Sequence, residues 1–365
     1  MQQFLDEHWP AMRRAAENGG GAAVVEMIEA FDDPVMRHLL YSTARQGLVF
    51  REWEGKNFDA YITVCDAGIS RILAEAQGAT GQARVDLYRG AHALGYNLTA
   101  DLADCWPGDD APRSRAHHQR GLRAAEEGLE WLQHLPSPAF DPHSRDHWAR
   151  GIHQLALGDL SAAIESWTRS LEYAVRGARA AGQSTSIDGS GNFAVVLATG
   201  YLGLGRWIAG DAAGEALYRL AIAAFRDQLQ DSERKNAAEI GIGQLEKVKS
   251  KHESPGPAEL TGPTGTADPA GNVADGEFTL EAARSALAAV RDMAPGGLAA
   301  PLSPDDLAVV LAAGIEVKGF DQGLLDFPTR IEGVAAYWCW RSGEAEIDWW
   351  HPRDEGFADR RRIDE

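Results

Sequence analysis

The chain has 365 residues, 44% hydrophobic and 24% charged, an ordinary globular composition and enough length for two or three domains. Its 54 acidic residues outnumber 35 basic ones, for a formal charge of -19. So acidic a surface repels phosphate backbones and anionic bilayers, which argues against nucleic acid or membrane as a partner.

Cys65, Cys105 and Cys339 are odd in number and widely spaced, which suits a reducing compartment and excludes a disulfide framework or a Cys-x-x-Cys knuckle. The first residues lack a basic leader followed by an apolar core, and no apolar run is long enough for a bilayer. A cytoplasmic protein is the expectation.

Helical spacing dominates residues 1–250. Phe4, Met12 and Ala16 share a helix that Asn18 to Gly21 ends. Asp33-Pro34 reads as an N-cap with proline at the first helical position. Phe58 to Ala76 follows, with Cys65 on its buried side as a core residue. The stretch Trp148 to Trp167 resembles a tetratricopeptide repeat: Gly151 at the close approach, Gly158-Asp159 at the turn, Ala163 and Trp167 at the packing positions. Gly203 to Gly210-Asp211 repeats the same spacing. The expected architecture is mainly α, a tetratricopeptide-like helical-repeat solenoid or a bundle of such pairs.

Residues 251–276 are rich in proline and glycine and read as a flexible linker. Residues 277–365 then restart as a small α+β domain. Thr279 caps a helix with Leu280, Ala283, Leu287 and Val290 on one stripe. Ser303-Pro304 opens a second short helix, which Gly314 closes. Strand-like pieces follow, and a β-hairpin is expected about a Ser342-Gly343 turn. That register pairs Arg341 with Glu344 and Trp338 with Ile347. It places Trp338, Trp340, Ile347 and Trp349 on one face, and Tyr337, Cys339, Glu346 and Asp348 on the other.

The segments Phe278-Thr-Leu-Glu, Gly314-Ile-Glu-Val-Lys, Gly323-Leu-Leu-Asp-Phe-Pro, Tyr337-Trp-Cys-Trp-Arg-Ser-Gly-Glu, Trp349-Trp-His and Gly356-Phe-Ala-Asp-Arg together resemble a small bacterial family, domain of unknown function (DUF) family 2203. In this chain the helical hairpin between Val290 and Gly314 is shortened to Ala294 to Ala313. The resemblance implies a fold and brings no mechanism.

Candidate chemistry is sparse. His351 lies near Asp348, Glu346 and Asp326 in sequence or expected register, and carboxylates with one histidine suit a divalent metal or acid–base work. The alternative is a solvated hairpin face. His143 and His147, four residues apart on a helix, present two imidazoles as zinc requires, without an evident third ligand. No phosphate loop or nucleophile elbow is present. The leading expectation is therefore a non-enzymatic scaffold without a resident cofactor. It would bind a protein or peptide and serve assembly or maturation of a larger complex, for example a metalloenzyme such as a hydrogenase. The alternative is a small metal-binding or hydrolytic module built on His351.

Overall fold

The computed structural model describes residues 2–51, 53–252, 278–293, 298, 310, 315–319, 323–353, 355 and 359–363. The linker from residue 253 onward, the Ser303-Pro304 helix with its closing Gly314, and Gly356 to Ala358 lie outside the described residues. Contacts group the chain into two units, Met1–Asp104 with Asp109–Ser166, and Cys105–Gly108 with Trp167–Glu365.

The first unit is helical: α1 Gln2–Glu29, α2 Pro34–Arg45, a π-helical turn Gln46–Phe50, α3 Phe58–Gly78, α4 Gly81–Leu102, α5 Arg115–Trp131, α6 Phe140–Leu157, and the start of α7 Leu160–Ala180. Helix α1 is broken at Gly19 and Gly20, whose φ of 62° needs glycine. The Asp33 carboxylate accepts from Val35 N–H and caps α2, with Pro34 behind it. Asn57 caps α3 in the same way. Met12, Ile28, Tyr41, Tyr61, Cys65 and Leu98 form the core. A partly buried ion pair adjoins them: Arg45 forks onto the buried Asp101, which also accepts from the Tyr61 hydroxyl at 2.9 Å. Burial pushes the Cys65 thiol up, so it behaves as a small apolar residue.

The helical part of the second unit comprises the rest of α7, α8 Phe193–Ile208, α9 Ala212–Gln228 and α10 Lys235–His252. Gly203 is where α8 and α9 touch. A Cβ added there would lie 2.5 Å from Tyr218 N and 2.9 Å from Gly214 O, so only glycine permits the approach. Gly210, at φ 88°, makes the turn, and Asp211 caps α9. Trp167 is fully buried against Tyr201, ring centroids 5.4 Å apart.

In the C-terminal α+β part, α11 Leu280–Met293 precedes a five-stranded antiparallel sheet in sequential order: β1 Glu316–Gly319, β2 Leu324–Ile331, β3 Val334–Arg341, β4 Trp349–Pro352 and β5 Arg361–Arg362. Thr279 caps α11 through Ala282 N–H. Phe278 ties the helix start to the sheet. Its amide donates to Pro328 O, and its carbonyl accepts from Thr329 Oγ1 and Trp338 Nε1.

The hairpin differs from expectation. The tight two-residue turn is Glu332-Gly333, joining β2 to β3, with φ of 52° and 84°. At Ser342-Gly343 a turn does form, closed by Glu344 N–H to Arg341 O at 2.9 Å, but the ladder does not continue beyond it. Strand pairing resumes only at Trp349, which faces Cys339, so Trp338 pairs with Trp350 and Tyr337 with His351. The cause is on α11. Arg291 takes the carbonyls of Glu344 and Ala345, the first shared with the Trp340 indole N–H, and Arg284 takes that of Ile347, so these acceptors go to side chains rather than to the β3 backbone. The shift is odd in residues, so Trp349 crosses to the face of Cys339.

Candidate metal centre

Alternation along the observed register gathers Asp326 of β2, Cys339 of β3 and His351 of β4 on one face. Asp326 stands directly opposite Cys339, and His351 is diagonal to it, opposite Tyr337. All three side chains are buried, at 0%, 0% and 3% exposure. One donor atom of each lies within 4.8 Å of the other two.

The hydrogen bonding gives this cluster its meaning. His351 Nδ1 lies 2.6 Å from Pro352 O, and a carbonyl can only accept, so Nδ1 carries a proton. In the neutral ring Nε2 is then a lone pair, and it faces Asp326 Oδ2 at 3.2 Å. Two acceptors in contact require a cation between them, a shared proton or a metal ion. The second carboxylate oxygen, Oδ1, has no hydrogen-bond partner among the described residues. Leaving such an atom buried is costly.

Cys339 supplies a third donor atom to the same cluster. Its thiol donates weakly to Tyr337 O at 3.5 Å, and burial, the Asp326 charge and a hydrogen bond to the Asp326 side chain push its pKa up, so without a metal the thiol keeps its proton. A metal ion reverses that shift by replacing the thiol proton. The imidazole arrangement also fits, since ligating histidines commonly donate the other ring N–H to a backbone carbonyl. A tetrahedral ion with bonds of about 2.0–2.1 Å sets neighbouring oxygen and nitrogen donors about 3.3 Å apart, close to the observed separation of Asp326 and His351. A set of one nitrogen, one oxygen and one sulfur suits zinc among common divalent ions.

Of the sequence candidates, the structure brings Asp326 and His351 together. Glu346 and Asp348 are exposed and face Arg284 of α11, at 3.9 and 3.6 Å. His143 and His147 sit half-buried on α6. Between them Asp146 is buried, with Oδ2 2.8 Å from His92 Nε2 on α4. Desolvation lowers the pKa of His143 and raises that of Asp146. Among the described residues only Asp326, Cys339 and His351 place three such donors within 4.8 Å. Sequence reasoning missed Cys339 because the expected register put it opposite nothing but solvated carboxylates.

Residues 304–363 match a family described as an uncharacterized conserved protein, DUF2203. The match lies in the C-terminal part of the chain and covers about a sixth of its length. The matched span contains all three donors of the cluster. No curated protein and no solved structure matches the chain.

Proposed function

We propose that the DUF2203 segment is a metal-binding module in which Asp326, Cys339 and His351 hold one divalent transition ion. The observation that carries this reading is the acceptor-to-acceptor contact of His351 Nε2 with Asp326 Oδ2, beside a buried thiol. Complete burial of the three side chains supports an ion that fastens β2, β3 and β4 together rather than one that hydrolyses an incoming substrate. Equilibrium dialysis of the full chain against Zn²⁺, followed by elemental analysis, tests it. One ion per chain, lost in His351→Ala, is expected; no retained zinc in the unaltered chain would contradict it.

A second reading concerns the helices. The close glycine-mediated pairing of α8 and α9 supports the use of this part as a repeat-like scaffold for a protein or peptide, in assembly or maturation of a larger complex. Affinity capture on the full chain tests that role. One stoichiometric partner, lost when the α8–α10 surface is altered, is the expected result, and a partner that survives such alteration would contradict it.

A further inference from the structure

A groove of about 560 Å³ opens on α9 and α10 beside the last turn of α8. Its floor is apolar: Tyr218 and Ile222 are buried, and Trp207 is half-buried, its ring 5.4 Å from that of Tyr218. Its rim is cationic. Arg219, Arg226 and Lys249 line it with Glu246; Arg219 is paired with Glu215 at 2.6 Å, which leaves Arg226 and Lys249 as the cations that face the groove. Lys249 Nζ lies 5.0 Å from the Trp207 ring centroid, and Arg226 has no ion-pair partner among the described residues. In a chain of net charge -19 this local surplus of positive charge runs against the general field.

We propose that this groove binds an acidic peptide segment of a partner protein, with carboxylates on Arg226 and Lys249 and an apolar side chain on the Tyr218–Ile222 floor. The proposal rests on the scaffold reading and is independent of the metal centre. Charge complementarity selects the occupant. A long polyanion meets the repulsion of the whole acidic surface, whereas a short acidic segment senses mainly charges within about 8 Å at physiological salt. The volume suits roughly two or three side chains. The apolar floor gives the segment a reason to carry an aliphatic or aromatic residue beside its carboxylates.

The test uses the full chain and a fluorescein-labelled hexapeptide alternating glutamate and leucine, read by anisotropy at two salt concentrations. Saturable binding that weakens with salt, and weakens about tenfold or more in the double variant Arg226→Glu, Lys249→Glu, is the expected result. Both substituted side chains line the groove wall, so circular dichroism and zinc content should match the unaltered chain. Absence of binding, equal binding by the variant, or equal binding of a glutamate-free serine–leucine peptide would overturn the proposal. So would comparable binding of a single-stranded oligonucleotide, which would mark the groove as a general anion site. A chain that keeps its zinc but ignores the peptide would sink the groove alone and leave the metal reading standing.

Discussion

His351 Nε2 and Asp326 Oδ2 stand 3.2 Å apart across strand β3, with the other ring nitrogen already committed to a carbonyl. Without a cation between them they repel, so the pair predicts opposite mutational effects in two states. In metal-free protein with no proton shared by the pair, Asp326→Asn should raise stability by about 1 kcal/mol, because its amide can donate to Nε2. In zinc-loaded protein the same change should lower the melting temperature, because one ligand is lost. Thermal melts with and without chelator check both signs.

The β2–β3 turn tests the backbone. Glu332 sits at φ 52°, a left-handed conformation that asparagine or glycine adopts more readily. Glu332→Asn should stabilise by about 0.5–1 kcal/mol, and Gly333→Ala should destabilise by a comparable amount or more. Denaturant midpoints at unchanged slope measure this.

Gly121 in α5 lies against His153 of α6. A Cβ there would fall 2.2 Å from Nε2, the atom that donates to Thr99 O. Gly121→Ala should therefore cost about 2–3 kcal/mol, through overpacking and a strained or broken buried hydrogen bond. Gly78→Ala, where nothing lies within 4 Å, is the control.

His153 also predicts a pH dependence. Burial holds its pKa at about 3 rather than 6.5, with the positive potential of His118 and Arg113 adding to the effect and the bond to Thr99 opposing it. Between those values the unfolded chain takes up a proton that the folded chain refuses. Stability contributed by this group is thus complete above pH 6.5 and falls as pH drops toward 3, by up to about 1.4 kcal/mol per pH unit. His153→Gln, which retains a donor for Thr99, should flatten the profile in that window.

Much of the helical architecture was legible because its signals are local. Asp33-Pro34, Gly158 and Gly210-Asp211 act within one turn of their own position, and the structure has caps or left-handed turns at each. The sheet was legible only as strands. Its register depends on Arg284 and Arg291, which reach the 344–347 carbonyls from more than fifty residues earlier in the chain. No pattern within the strands encodes that. Cys339 was hidden for a similar reason: Asp326 meets it through the β2–β3 ladder closed at Glu332-Gly333, and His351 only once β4 begins at Trp349.

The most direct test is the absorption spectrum of the full chain loaded with Co²⁺ in place of zinc. A bound ion ligated by Cys339 gives a thiolate-to-metal charge-transfer band at one equivalent of cobalt, and that band disappears in Cys339→Ser. A cobalt-loaded chain without the band, or a band that survives Cys339→Ser, would contradict the assignment of Asp326, Cys339 and His351 as the metal centre.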